Sequence, residues 1–475
     1  MDPLRATLKA ILLPGLLLAA AGPGGSQSLL DDTSLTQAAL LRDEAQDSGL
    51  AYEILESLTT EVGPRMAGSS GDARAVAWAQ AKFEQLGFDR VTLEPVTFPA
   101  WRRGREAASV VAPFPQPLVV TALGGSIATD GELRTPVAHF ATLQELAAVP
   151  DDSLDGQIVF ISNRMKRFRD GAGYGQAVAA RSNGAVTAAK KGASAILIRS
   201  IGTDQDRLPH TGLMSYALDV RRIPAAALSN PDADLLVNMV QRGQPVEVAL
   251  ELGSYWDGDY TSYNVIGDIV GSAKPDEYVV IGGHLDSWDL GTGAIDDGAG
   301  CAITMAAGAL IGRLDMAPQR TIRVVLYANE EQGLWGARAY RQAHADELDR
   351  HIIGAESDFG AGPIYRFSSR VKPSALGLVD QLSQVLAPLG IVRGDNIASG
   401  GPDLIPMRQA GMAVATLHQD GTDYFDYHHT ANDTLDKVKP EDLAQNVAAY
   451  TVFAYLSAMA PGDFGARLGL ENADD

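Results

Sequence analysis

From residue 262 onward, one apolar strand after another runs directly into acids. Tyr278 to Ile281 leads into Gly282-Gly283-His284-Leu285-Asp286-Ser287-Trp288-Asp289, followed by Gly293-Ala294-Ile295-Asp296-Asp297-Gly298. Thr321 to Ala328 leads into Asn329-Glu330-Glu331-Gln332-Gly333, and Ile352 to Ala355 into Glu356-Ser357-Asp358. Helical periodicity fills the intervals, near 298–313, 332–344, 374–387 and 441–459. Such alternation predicts an α/β layered domain. In open α/β sheets ligands sit at the carboxyl ends of strands, so three strand ends converge on acids where a site belongs. Taken singly, each acid is more often a helix cap or a solvated surface group. Jointly they place carboxylates beside the core, where an unpaired charge is costly and a cation is called for. A fourth polar cluster, Tyr427-His428-His429-Thr430, stands before Asp433-Thr434.

What the cation can be is limited by composition. A single cysteine, Cys301, allows no intrachain disulfide, no CxxC redox pair and no Cys-rich zinc ribbon, so any metal must be held by His, Asp and Glu. Cys301 itself lies on an apolar helical stretch and reads as an inert core thiol. The 38 Lys and Arg stand against 59 Asp and Glu, a net charge of -21 that is the wrong sign for gripping nucleic acid. With 475 residues the chain has room for two or three domains.

Residues 1–21 read as a secretory signal. Arg5 and Lys9 precede the apolar run Ala10 to Ala21, whose small-residue end suits cleavage before Gly22. The run is short for a bilayer and Pro14 interrupts it; no second stretch approaches spanning length. Removing Asp2, Arg5 and Lys9 with the signal takes the charge from -21 to -22, which disfavours anionic membranes. An exported protein without disulfides fits a periplasm or the extracellular medium.

Upstream of 262, residues 35–60 and 72–86 are helical by period, the second closing at Leu86-Gly87, and Phe88 to Val96 reads as a strand. Between about 104 and 260 the texture changes to short apolar strands separated by Gly and Pro, with helices near 175–191 and 231–241. That stretch reads as a mostly β module of its own, inserted into a layered domain made of 33–103 and 261–462.

Read together, these pieces resemble the M28 family of zinc exopeptidases, in particular its carboxypeptidase Q-like branch. The resemblance rests on GGHLDSWDLGTGAIDDGAG at 282–300, NEEQG at 329–333, ESD at 356–358, YHHTANDT at 427–434 and PHTG at 209–212. It implies a layered zinc-exopeptidase domain with a mixed central sheet, in which 104–260 is a protease-associated insertion. It makes His284 and Asp358 ligands of one zinc, Glu331 and His429 ligands of a second, Asp296 the bridge, and Glu330 the general base. Asp286, two residues after His284, is the expected partner that orients its imidazole. His429, followed by Thr430 and then Asp433-Thr434, fits the family frame for the ligand. His428 falls where several relatives have Tyr, and is expected to donate a hydrogen bond to the developing oxyanion; packing is its alternative role.

The implied activity is removal of single residues from short peptides, dipeptides in particular, with either terminus open as the recognised end. Asp403, in Ser399-Gly400-Gly401-Pro402-Asp403, is a candidate to hold a peptide amine and equally a turn residue. The basic run Arg164 to Arg169 is a solvated face, or alternatively grips a substrate carboxylate. A serine mechanism through Ser369-Arg370-Val371-Lys372 is disfavoured because Pro373 biases Lys372 away from helix. Two rivals are a non-catalytic binding protein on the same scaffold and glutaminyl cyclisation. The family also makes a homodimer an expectation.

Overall fold

The computed structural model describes residues 29–465, so the signal read at 1–21 lies outside the described residues. Local chemistry starts and stops the helices. The Asp31 carboxylate accepts the Ser34 N–H at 2.7 Å and opens Asp32–Gln46. Ser69 caps Ser70–Leu86, which ends at Gly87 with φ 84°, a left-handed conformation open to glycine without a Cβ clash. The helix expected at 35–60 is broken at Asp47-Ser48-Gly49, and a second one begins at Leu50–Ser57.

Eight strands form a mixed sheet in the order Arg90–Arg102, Tyr255–Ile269, Arg320–Tyr327, Lys274–His284, His351–Glu356, Val414–Gln419, Ile364–Arg370 and Val392–Arg393. Arg320–Tyr327, Lys274–His284 and His351–Glu356 are parallel neighbours, with His284 opposite Tyr327 and Gly282 opposite Glu356. The three acid-bearing strand ends therefore lie side by side. Successive side chains leave a strand on opposite faces. Val279, Ile281, Val324 and Leu326 pack with residues of Asp32–Gln46, Ala299–Gly312 and Pro440–Met459, while Tyr278, Val280, Val325 and Tyr327 pack with those of Trp335–Ala343 and Ile405–Gln409. The result is the expected α/β layered architecture. Ala294–Gly312 has the length and apolarity of a membrane span, contrary to the expectation that no second stretch approaches one, but it is wholly buried as a core helix.

The chain leaves this sheet at Arg102 and rejoins it at Tyr255, its register partner, so the whole intervening segment starts and ends at one place. That segment builds a second eight-stranded sheet, Gln116–Leu118, Glu106–Ala112, Glu247–Leu252, Leu133–Phe140, Ile158–Ile161, Ala195–Arg199, Ala225–Leu228 and Val120–Ala122. Helices Ala179–Lys190 and Asn230–Val240 accompany it, and its middle pairings, from Leu133–Phe140 to Ala225–Leu228, are parallel. Leu133–Phe140 is hidden in the sequence because Pro136 interrupts its pattern; with Arg134 and Pro136 exposed and the rest half-buried, it carries no apolar run.

Candidate metal centre

His284 is the last residue of its strand, and its backbone N–H donates to Asp297 at 3.1 Å. Its Nε2 lies 3.0 Å from Asp296 Oδ1 and 3.6 Å from Asp358 Oδ1. On the other side, His429 Nε2 lies 3.2 Å from Asp296 Oδ2 and 3.0 Å from Glu331 Oε2. Asp296 thus turns one carboxylate oxygen to each imidazole, and all five residues expected as ligands meet around it. Two donor sets have ligand atoms within 4.8 Å of one another: His284, Asp296 and Asp358, and Asp296, His428 and His429. The second set contains His428, expected as an oxyanion donor rather than a ligand; Glu331 joins it through His429.

The donor chemistry fits divalent cations. Carboxylate and imidazole are the ligands available to zinc in the absence of thiolate. Glu331 Oε1 is buried without a hydrogen-bond partner, an orphaned acceptor that a cation satisfies. Burial opposes a charged His284, but the carboxylates of Asp286, Asp296 and Asp358 outweigh it and hold its pKa well above the usual value. The same contest, won by Glu331 and Asp296, lifts His429 to about 9. Burial and repulsion from Asp358, Glu331 and Asp403 push Glu330 well above the usual carboxylate range, against the attraction of His284.

The Asp296 loop is held by two groups outside the expected ligand set. Asp433 accepts the N–H of Ile295 at 2.6 Å and of Asp296 at 3.2 Å. Arg65, fully buried, donates to the carbonyls of Leu285, Thr292 and Gly293 at 2.5, 2.7 and 2.8 Å. The place of Asp433 after the histidines is a signal for it in the sequence; Arg65 carries no local signal. Asp286 orients His284 through its backbone carbonyl, 3.0 Å from Nδ1, whereas its carboxylate stands 3.6 Å away and instead accepts the Glu330 N–H at 3.0 Å.

His428 stacks on His429 with ring centres 3.4 Å apart, and its Nδ1 is buried and unpartnered. Burial and the neighbouring His429 charge drive its pKa well below the usual value. Asp403 is fully buried behind the cavity wall, its carboxylate oxygens without hydrogen-bond partners, and its N–H donates to Glu356 Oε2 at 2.8 Å. Cys301 is buried, and burial pushes its thiol pKa up.

The inserted segment closes the site. Thr211 N–H donates to the His429 carbonyl at 3.1 Å, and the His429 Nδ1 lies 3.3 Å from the Thr211 carbonyl. His210 bridges Asp204 and the His428 carbonyl at 2.8 and 2.7 Å. The basic run is exposed, as expected of a solvated face, and its arginines are paired rather than free to anchor a substrate. Arg167 pairs with Asp423 and Asp426 at 2.9 and 2.6 Å, and Arg169 with Asp420 at 2.8 Å while lying over the Tyr365 ring. A cavity of about 390 Å³ remains, lined by Asp296, Glu330, Glu331, Asp358, His428 and His429 together with Tyr174, Arg181 and Phe425.

Residues 264–454 match Peptidase family M28. Carboxypeptidase Q of Xenopus laevis is 36% identical over 409 residues, which are 86% of each chain. The chain belongs to peptidase family M28. A crystal structure of a peptidase M28 precursor from Shewanella amazonensis is 56% identical, covers 91% of this chain and 98% of its own, and superimposes with a TM-score of 0.90. A zinc aminopeptidase from Bacillus subtilis, 20% identical over 85% of this chain and 94% of its own, shares the fold at a TM-score of 0.62. This M28 chain is a metallopeptidase, and its substrates are peptides.

Proposed function

We propose that the protein is an exported di-zinc exopeptidase acting on short peptides, dipeptides in particular. The observation that carries this reading is Asp296, whose two oxygens lie 3.0 and 3.2 Å from His284 and His429 on opposite sides. One shared carboxylate with a His and an acid on each side, Asp358 with His284 and Glu331 with His429, suits two ions, and zinc appears in the name of a structural neighbour. When bound, zinc supplies Lewis acidity that lowers the pKa of water and polarises a carbonyl. Glu330, adjacent to Glu331 but facing the cavity as its own group, accepts the water proton and returns it to the leaving amine. His428 faces the same cavity as the donor toward the oxyanion. The cavity, about 390 Å³, has the size of a small-molecule site, which favours short peptides over long chains.

Export is supported by the charged start and apolar run of residues 1–21 and by the lone, buried Cys301. The segment expected at 104–260, whose own sheet runs from Glu106 to Leu252, is assigned as a protease-associated domain on the strength of that sheet and its place over the cavity. The test is metal analysis coupled to a dipeptide panel. Two zinc ions per chain and cleavage that chelation abolishes and zinc restores are expected. One ion per chain, or cleavage persisting after verified metal removal, contradicts the mechanism; cyclisation of an N-terminal Gln peptide without hydrolysis contradicts the activity.

A further inference from the structure

A second cavity, of about 490 Å³, adjoins the catalytic one. Its lining runs from Ile295 to Asp442, with no residue of the inserted segment among the described ones. Phe359 and Tyr424, whose ring centres are 4.8 Å apart, line both cavities and form a shared aromatic partition. Three of its lining residues adjoin the metal centre along the chain. Ile295 precedes Asp296, Phe359 follows Asp358, and Tyr427 precedes His428, whose N–H donates to the Tyr424 carbonyl at 3.0 Å. Glycine at 360, with φ +83°, lets these segments meet, because a Cβ there would lie 2.9 Å from the Tyr424 ring and 3.4 Å from Ile295 Cγ2.

Most charges lining this cavity are taken. Arg169 holds Asp420 at 2.8 Å, Arg167 holds Asp423 at 2.9 Å, and Asp436 holds Lys437 at 2.5 Å. Lys439 and Asp442 are left with a loose pair, Nζ to Oδ2 3.9 Å. The Asp442 backbone carbonyl accepts from Asn446 at 2.8 Å, whereas its carboxylate accepts no hydrogen bond among the described residues. Burial, with repulsion from Glu441 and Asp420, raises the Asp442 pKa against the pull of Lys439. A molecule with one charge of each sign completes such a pair, its carboxylate on Lys439 and its ammonium on Asp442; a ligand of single charge leaves one of them unmet. The rings of Phe359, Tyr424 and Tyr427 offer an aromatic side chain edge and offset contacts. The volume is that of a small-molecule site.

We propose that this second cavity binds a free aromatic α-amino acid between Lys439 and Asp442, and that the bound amino acid slows turnover by bracing the Phe359–Tyr424 partition. The effect passes through the partition and the segments that carry Asp358 and His428, so it does not compete with the peptide for the catalytic cavity. Peptide hydrolysis releases amino acids, which makes the enzyme's own product a source of the ligand. That source rests on the hydrolytic reading of the metal centre; the binding itself does not.

The experiment titrates L-phenylalanine calorimetrically into the zinc-loaded wild type, Lys439→Gln and Asp442→Asn, and assays the same proteins on a dipeptide at several L-phenylalanine concentrations. In the wild type the amino acid is expected to bind and to lower kcat at unchanged KM. Each variant should keep its uninhibited kcat and KM within about twofold while binding L-phenylalanine about 10-fold more weakly, the loss expected for one charged hydrogen bond. N-acetyl-phenylalanine and phenylalanine amide, each lacking one of the two charges, should bind the wild type more weakly by about the same factor. Inhibition that is competitive and equal in all three proteins places the amino acid in the catalytic cavity and overturns the proposal, as does a wild type that binds none. A wild type that binds L-phenylalanine as expected but cleaves no peptide overturns the hydrolytic reading and leaves the second site standing.

Discussion

The Nδ1 of His210 stands 2.7 Å from the backbone carbonyl oxygen of His428, joining residues 218 positions apart. The other ring nitrogen of His210 is 2.8 Å from Asp204, and both side chains are buried. The bond clamps the turn that presents His429, whose φ of 62° is unusual for a non-glycine residue. His210 is therefore a positioning residue. His210→Ala is expected to weaken zinc binding or turnover about 10- to 100-fold, as loss of a partner behind a ligand does. A zinc titration and kcat measured on the same preparation check it; unchanged values would mean the turn holds itself.

Glu330 and Glu331 are neighbours with different tasks. Glu331 Oε2 is 3.0 Å from His429, whereas Glu330 is held through its backbone, its N–H donating to Asp286 and its carbonyl accepting from Gly333 and Leu334. Glu330→Gln should lower kcat by about 10²- to 10⁴-fold with zinc retained, because an amide cannot take a proton from water. Glu331→Gln should lose zinc as well. Equal zinc contents in the two variants would show the division of labour to be wrong.

Stacked 3.4 Å apart, His428 and His429 both point Nε2 toward Asp296, at 3.7 and 3.2 Å. Only His429 also reaches Glu331. His429→Ala is expected to lose zinc, and His428→Ala to lower kcat with zinc retained. Zinc loss from the His428 variant instead would make that residue the ligand.

His351 offers a test of stability away from the metal centre. Its Nδ1 donates to the Glu347 carbonyl at 3.0 Å and its Nε2 accepts the Tyr340 hydroxyl at 2.9 Å, an arrangement that needs the neutral ring. Burial, then repulsion from Arg323 and His344, lowers its pKa to about 4, against the Glu347 bond. The unfolded chain takes up this proton near the ordinary pKa of about 6.5, before the folded protein does. Its contribution is therefore complete above about pH 6.5 and is lost as pH falls toward 4, up to roughly 3 kcal/mol. His351→Gln should flatten the loss of denaturant stability between pH 7 and 4.5, measured at fixed zinc. Parallel pH profiles for the two proteins would rule it out.

Residues whose role is local are legible in the amino-acid sequence. His284, Glu330, Glu331 and Asp358 follow apolar strands within a few positions, and a strand's carboxyl end is where an α/β sheet exposes its loops. Ser69 and Gly87 mark their helix by chemistry confined to one turn. The strands Val414–Gln419 and Ile364–Arg370 leave no such mark, the second mixing Ser and Arg among its apolar residues, since their pairing partners lie far along the chain.

By itself, then, the sequence determined the layered fold, the donor types and the absence of thiolate ligands, all of which follow from periodicity and composition. Only the tertiary structure decided that Asp296 faces both imidazoles, that Arg167 and Arg169 fasten the inserted segment to Asp420, Asp423 and Asp426, and that Arg181 and His210 stand beside His428 and His429. Those juxtapositions join residues dozens to hundreds of positions apart. No local propensity specifies such contacts; they are chosen when the two sheets pack and the buried polar groups must all find partners at once.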